Sequence, residues 1–278
     1  MLDFLYAIPS AVLLIAALTV CIALACGGQM LVHRLFASRN FVAHNEVGGI
    51  MITVSGTIYA VILGFLTVSA WEHYQEAREL VVQEADASID AWHTSVGLPV
   101  MMRDRVRDDM VRYASIMMDS EWPLMRRGNY DADAANVGMD AIDAAGAFTP
   151  KDSGVANAQS ATVQQLTILH DARQRRITGN SSGVSGFEWL VLGIGAICMI
   201  VFCWLFGLNN QRTQLLMTGI VVTMIVTVLV LLFELQYPFR SDIGVGPDAW
   251  IGAADHIQQM QSGAMPDMRT HAMPGMKM

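Results

Sequence analysis

Residues 47–71 read VGGIMITVSGTIYAVILGFLTVSAW and contain no charged side chain. About 20 consecutive apolar residues are enough for an α-helix to cross the hydrocarbon core of a bilayer. Three other apolar stretches occur, at residues 8–26, 187–208 and 213–235. Because backbone in lipid must satisfy its own hydrogen bonds, the four stretches predict four membrane helices. We number them TM1 to TM4 in chain order, so that TM2 is residues 47–71.

The composition agrees with a membrane protein. Of 278 residues, 53% are hydrophobic and 15% are charged, whereas soluble domains carry about 25% charged residues. This argues against a soluble enzyme, a secreted disulfide scaffold and a disordered protein. The formal net charge is −8, and an acidic chain repels phosphate backbones, so nucleic acid is not an expected partner. All four cysteines lie in apolar stretches and are expected to be small packing residues.

TM1 has an alternative interpretation as a lipoprotein signal peptide, because Ala23-Leu24-Ala25-Cys26 loosely resembles a cleavage site. A signal peptide has basic residues before its apolar stretch, but no lysine or arginine precedes this one. Apolar residues also resume after it. We therefore expect a retained membrane helix.

The membrane stretches divide the chain into five parts and predict an all-α membrane protein. Between TM2 and TM3 the pattern is helical, with TM2 continuing as one long helix up to Gly97 and further helices at 101–125, 132–145 and 158–177. The four membrane helices are expected in two hairpins, with this helical polar domain between them. The parts are 1–46 (TM1 and a connecting loop), 47–71 (TM2), 72–186 (helical soluble domain), 187–235 (TM3–TM4 hairpin) and 236–278 (a Met/His-rich tail).

Basic residues give conflicting indications of topology. With four spans, both termini and the polar domain share one side of the membrane. The rule that short loops rich in Lys and Arg face the cytoplasm gives weight to Arg34, Arg39 and Arg212 on the opposite side. The larger number of arginines lies near the membrane on the domain side: Arg78, Arg173, Arg175, Arg176 and Arg240. Composition therefore leaves the orientation open.

TM2 carries two patterns with functional meaning. Gly56, Ala60 and Gly64 repeat every four residues, and small residues at this spacing let another helix approach closely. Thr57, Val61 and Phe65 form a second face, rotated by about 100°. Around a central pore they would make a threonine ring followed by apolar constrictions, which can gate by dewetting. The alternatives are ordinary helix packing for the first set and lipid-facing or core residues for the second.

Two further groups could bind ions. Glu72, Glu188 and Glu234 stand at the same membrane face and predict an acidic vestibule, although solvation of helix ends explains them equally well. The tail offers soft thioether and imidazole ligands of the kind that suit copper. Its candidate ligands are Met265, Met268, His271, Met273 and Met276. Flexible tails rich in methionine also occur without a function, and no enzyme motif, such as a phosphate loop or HExxH, is present.

Several short motifs resemble a known family. Val61-Ile62-Leu63-Gly64-Phe65, with Trp71 and Tyr74 beyond it, resembles the pore helix of bestrophins, and the whole layout more closely resembles the bacterial bestrophin-like domain of unknown function 4239. The matching pieces are Tyr59-Ala60-Val61-Ile62-Leu63-Gly64-Phe65, Ala70-Trp71-Glu72-His73-Tyr74, Glu84-Ala85, Glu121-Trp122, Arg175-Arg176 and Tyr237-Pro238-Phe239.

The resemblance implies a homo-oligomer, expected to be a pentamer, around a pore lined by TM2, with a cytoplasmic helical domain. It allows either anions or cations, and it places Phe65, Val61 and Thr57 at the neck of the pore. Two features depart from bestrophins: the interval from Phe65 to Trp71 is shorter, and the acidic calcium clasp of animal bestrophins is missing.

Two functional hypotheses follow. The first is an oligomeric ion channel of the bacterial inner membrane whose partners are the lipid bilayer, further copies of the chain and inorganic ions. The second is a non-conducting membrane scaffold or sensor, in which the acidic helical domain binds a partner and the tail binds copper. The sign of the conducted ion stays open at this point.

Overall fold

The computed structural model describes residues 3–35, 45–206 and 210–262, and this part of the chain is helical and without β-strands. Short 3₁₀ helices occupy Asp3–Ala7 and Ser95–Gly97, and a π-helical turn occupies Met117–Glu121. The α-helices are α1 Ser10–Leu35, α2 Asn45–Thr94, α3 Val100–Ile116, α4 Trp122–Met125, α5 Ala132–Gly146, α6 Ser153–Ser181, α7 Gly186–Leu205, α8 Gln211–Leu235 and α9 Asp248–Ser262.

Four of these helices are long and apolar enough to cross a membrane, as the sequence predicts: α1, α2, α7 and α8. The prediction that TM2 continues beyond the membrane as one helix is confirmed, because α2 runs without interruption from Asn45 to Thr94. It ends at the 3₁₀ turn that contains Gly97. Pro99, which has no amide hydrogen to donate, then stands at the N-cap of α3.

Three helices differ from the sequence prediction. The first, α1, continues through Gly27 and Gly28 to Leu35. The ring of Trp204 packs where a side chain at Gly28 would stand. The second, α6, begins at Ser153 because the Asp152 carboxylate accepts hydrogen bonds from the amides of Gly154 and Val155. The third, α9, was not expected in the tail, and it buries Trp250 completely.

The chain forms two compact units. The first comprises Met1–Glu76 and Gly179–Gly244, and the second comprises Ala77–Thr178 and Val245–Met278. In the first unit, α1 packs along α8 and also contacts α7. Ala25 of α1 lies against Val222 and Val226 of α8, and such small side chains let two helix backbones approach closely.

The membrane part of α2 is held in the first unit by one buried stripe. Tyr59, Leu63 and Ala70 are buried together with Leu192 of α7 and Leu232 of α8. They recur at intervals of four and seven residues, which brings an α-helix back to the same face. A single stripe of α2 therefore faces the rest of its own unit.

The second unit is built around α3, which packs against α5 and α9. Val106, Met110, Tyr113 and Met117 recur at helical spacing and are each 0% exposed, so they form one buried face. Trp250 of α9 packs on Tyr113 with ring centroids 5.4 Å apart. The tail therefore contributes a helix to the core of this unit.

Replacing Gly195 by alanine should destabilise the first unit. The ring of Tyr59 occupies the space that a Cβ at this position needs, and overpacking of this kind costs about 1–3 kcal/mol. Thermal unfolding of the purified protein in detergent should show a lower midpoint for Gly195→Ala. The control is Gly193→Ala on the same helix, where an added Cβ meets no atom within 4 Å. Equal midpoints for the two variants would contradict this packing.

Candidate functional site

The three predicted pore residues lie on exposed surface of α2. Val61 is 52% and Phe65 is 72% exposed, and Thr57 is exposed as well. The Thr57 hydroxyl donates to the carbonyl of Thr53 at 2.8 Å, so it is bonded to its own helix. These side chains lie opposite the buried stripe that begins at Tyr59. At 100° per residue, Thr57 and Val61 each point roughly 160° away from Tyr59, one in each direction around the helix.

The small-residue face has a mixed environment. Gly56 lies against Met199, where a methyl group would come within 3.2 Å of the Met199 Cε. Ala60 and Gly64 are exposed, and an added Cβ at Gly64 meets no atom within 4 Å. Within the described residues, this face is therefore only partly used in packing. The buried stripe with Tyr59 holds α2 against α7 and α8 instead, and the spacing of small residues did not reveal it.

The three carboxylates of the predicted vestibule have different surroundings. Glu72 is exposed, and Glu234 is 5% exposed. Glu188 forms a capping box at the start of α7, in which its Oε2 accepts from the Ser185 amide at 2.7 Å and its own amide donates to the Ser185 hydroxyl. In residues 3–35, 45–206 and 210–262, no three His, Cys, Asp or Glu side chains come together as a metal site.

The helix α2 also carries a run of exposed carboxylates that the sequence analysis did not single out. One exposed set follows at successive intervals of seven residues: Phe65, Glu72, Glu79 and Asp86. An α-helix returns to nearly the same face after seven residues. Residues 72–94 contain six carboxylates and one arginine. The face of α2 that carries Phe65 in the apolar part of the helix therefore carries carboxylates in the polar part that follows.

A buried cluster of charged groups lies inside the second unit. The Arg176 Nε is 2.6 Å from the Glu84 Oε2, and its terminal nitrogen is 3.0 Å from the Glu84 Oε1 and 3.2 Å from the Glu121 Oε1. Arg173 completes it with a contact of 3.1 Å to the Glu121 Oε2. These four side chains are at most 3% exposed. Two guanidinium groups thus neutralise two carboxylates away from water.

Four elements supply the cluster and its surroundings. Glu84 comes from α2, Tyr113 from α3, Glu121 from the π-helical turn, and Arg173 and Arg176 from successive turns of α6. The Tyr113 hydroxyl donates to the Glu84 Oε1 at 2.6 Å. The Arg176 guanidinium also lies over the Trp122 ring, 5.3 Å from its centroid, and donates to the sulfur atoms of Met117 and Met125.

The electrostatics of this cluster fix its protonation. Burial by itself lowers the pKa of Arg176, but the charges of Glu84 and Glu121 outweigh it and raise that pKa above its ordinary value. Burial, together with the charge of Glu84, raises the pKa of Tyr113 well above its ordinary value. Arg176 therefore stays charged and Tyr113 stays a neutral donor, so the cluster serves to position helices rather than to transfer protons.

The predicted copper ligands Met265, Met268, His271, Met273 and Met276 lie outside the described residues. The resemblance noted from the sequence included Glu84, Glu121 and the Arg175-Arg176 pair without assigning them a role. The structure brings Glu84, Glu121 and Arg176 into direct contact and leaves Arg175 exposed.

Comparison with known proteins gives a family and a fold. A family model described as "Bestrophin-like domain" matches residues 19–250. No curated protein matches the chain. Crystal structures of two variants of a bacterial bestrophin homologue from Klebsiella pneumoniae are both 14% identical to it, with TM-scores of 0.63 and 0.66. The alignments cover 90% of this chain and 99% and 98% of the homologue.

A third crystal structure, described only as a membrane protein, is 13% identical, with a TM-score of 0.65 and coverage of 91% of this chain and 99% of that one. At these identities, the matches establish a shared fold.

Removing the Arg176 guanidinium should strongly destabilise the second unit. Arg176→Met leaves the carboxylates of Glu84 and Glu121 buried without one of their partners, and breaking a buried pair in this way costs about 3–5 kcal/mol. Arg175→Met is the matched control, because Arg175 is the exposed neighbour. Thermal unfolding in detergent, followed by circular dichroism, should show a large fall in the midpoint for Arg176→Met and little change for the control. Equal stability of the two variants would contradict the importance of the cluster.

Proposed function

Because the chain belongs to the bestrophin-like family, we propose that it forms an oligomeric, cation-conducting channel whose pore is lined by α2. The observation that carries the proposal is the exposure of Thr57, Val61 and Phe65, on the side of α2 that faces away from its own unit. In a membrane, such a face is covered by lipid, by another copy of the chain or by the water of a pore.

Exposed small residues of α2 support the association of several copies. Ala60 and Gly64 are small and exposed, so a neighbouring helix can approach the backbone closely beside them. Packing along this side turns Thr57, Val61 and Phe65 toward a common axis. We propose a homo-oligomer, with five copies as the resemblance to bestrophins implies.

The pore residues then have distinct roles. Phe65 and Val61 form apolar rings that close the pore by excluding water, and Thr57 supplies a ring of hydroxyl oxygens that still accept hydrogen bonds. The shift of an aromatic ring is enough to change the width of such a constriction. Phe65, as the largest of the three, forms the narrowest point.

The sign of the ion follows from the acidic face of α2. Glu72, Glu79 and Asp86 continue the spacing of Phe65 and are repeated in every copy. Carboxylates that line one approach to a pore raise the local concentration of cations and lower that of anions. Arg78 is the single arginine among residues 72–94, so the balance favours cations, of which potassium is the one we test.

We place the protein in the bacterial inner membrane, with both termini and the helical domain in the cytoplasm. The resemblance to bestrophins supports this orientation. A glutamate-lined approach on the cytoplasmic side would collect potassium, the main cation of that compartment. The non-conducting scaffold stays the alternative hypothesis.

Ion flux tests the pore directly. Protein reconstituted in liposomes should conduct potassium, and Phe65→Ala should increase the flux several-fold, because a smaller ring of side chains holds water more readily. Phe187→Ala is the matched control: Phe187 is 73% exposed, at the start of α7, and has no place in the proposed pore. A Phe65→Ala variant with wild-type flux would contradict the constriction, and absence of flux in folded oligomers of both proteins would favour the scaffold.

Selectivity tests the acidic face. The double variant Glu72→Gln, Glu79→Gln should lower the preference for potassium over chloride by about tenfold at low salt. The difference should shrink at high salt, where the Debye length falls to about 3 Å. Asp171→Asn, a substitution of an exposed carboxylate on α6, is the control. Unchanged selectivity in the double variant would remove the basis for cation preference.

A further inference from the structure

We propose that the second unit carries a binding site for monovalent copper, formed by His93 and His256 with Met260 as the third ligand. The site is separate from the proposed pore and depends on neither its residues nor its conduction. It takes a soft metal ion, and the chemistry of its three ligands identifies that ion as Cu⁺.

Two histidines from distant parts of the chain meet on this unit. His93 lies in the last turn of α2 and His256 lies on α9, and their ring centroids are 5.8 Å apart with an angle of 63° between the rings. His93 is exposed and His256 is half-buried. Both rings are therefore at least partly accessible to solvent.

The backbone under both histidines is well anchored. The neighbouring Trp92 is 5% exposed, and the Arg107 guanidinium lies over its ring at 4.9 Å. On α9, Trp250, Ala253 and Ile257 are buried in the core of the unit. Ligands held by packed helices keep their separation, which lowers the cost of ordering them when a metal binds.

The separation of the rings leaves room for one metal ion between them. A metal–nitrogen bond of about 2.0 Å puts each ring centre about 3.2 Å from the ion, so two ring centres that share an ion lie about 5 to 6 Å apart. The observed 5.8 Å is within this range. The identity of the ion follows from the third ligand.

Met260 supplies the third ligand. It lies four residues after His256, on the same face of α9, and is half-buried. A thioether binds Cu⁺ well and contributes little to a zinc site. Among the residues that the structure describes, no third His, Cys, Asp or Glu joins the pair to form a harder ligand set. Two imidazoles and one thioether therefore select copper in its reduced state.

The sequence after α9 has matching chemistry. Five methionines and one histidine occur in residues 263–278, directly after the helix that carries His256 and Met260. They are potential ligands for capture and exchange of the same ion. The site proposed here rests on His93, His256 and Met260 alone, and this distinction decides how it is tested.

The test is Cu⁺ affinity of the full-length protein in detergent, measured anaerobically by competition with a coloured Cu⁺ chelator. The variants His93→Gln and His256→Gln should each lower the affinity by about tenfold or more. Met260→Leu, which conserves volume, should lower the affinity for Cu⁺ and leave that for Zn²⁺ unchanged. His170→Gln, on α6, is the matched control and should bind as the wild type does.

A tail variant separates the proposed site from the ligands that follow it. In one full-length protein, Met265, Met268, Met273 and Met276 are replaced by leucine and His271 by glutamine. This protein should still bind one Cu⁺ ion, and adding the substitution His93→Gln should lower its Cu⁺ affinity. X-ray absorption of the bound copper should show two nitrogen ligands and one sulfur ligand. Copper should also raise its thermal midpoint, because binding to the folded state alone stabilises it.

Three outcomes would overturn the proposal: wild-type Cu⁺ affinity in both histidine variants, loss of all binding in the tail variant, or tighter binding of Zn²⁺ than of Cu⁺ by the wild type. Midpoints measured without copper show that each variant is folded. None of these measurements depends on ion flux, so a failure of the copper proposal would not contradict the channel proposal, and the reverse also holds.

Discussion

The second unit depends on one fully buried ion pair, between Glu84 and Arg176. Both side chains are 0% exposed and the closest atoms are 2.6 Å apart. Transfer of either charge from water into the interior is costly, and the attraction between them repays that cost only when the geometry is good and the remaining donors are satisfied. Glu121 and the Met117 sulfur accept hydrogen bonds from Arg176, and the Tyr113 hydroxyl donates to the Glu84 carboxylate. Arrangements of the helices that leave Arg176 unpaired are therefore strongly disfavoured.

This requirement explains why the sequence predicted the helices better than their assembly. The apolar lengths of the membrane stretches, the long α2 and the Val106–Tyr113 face of α3 are local patterns. The ion pair joins positions 92 residues apart, and no local period connects them. Glu84 and Arg176 could be recognised only as part of a family resemblance. The same holds for α9, because the burial of Trp250 depends on Tyr113, which lies more than a hundred positions earlier.

The helix α2 shows how one periodic pattern can serve several purposes. Tyr59, Leu63 and Ala70 pack it against its own unit, and the opposite face, with Val61 and Phe65, is exposed within the part of the chain that the structure describes. The sequence singled out these faces as sets of residues but could not rank them, because glycine, valine and phenylalanine all suit lipid, a helix interface or a pore. The position of the buried stripe decides which faces are free.

A fold shared at 14% identity is consistent with constraints of this kind. A membrane helix needs length and apolar character, and a packing stripe needs a period, so many sequences meet both requirements. The buried cluster is different, because only a guanidinium offers donors for two carboxylates at once, and lysine cannot reproduce that geometry. In the second unit, the loss of Glu84, Glu121 or Arg176 alone therefore leaves an unbalanced charge in a dry interior.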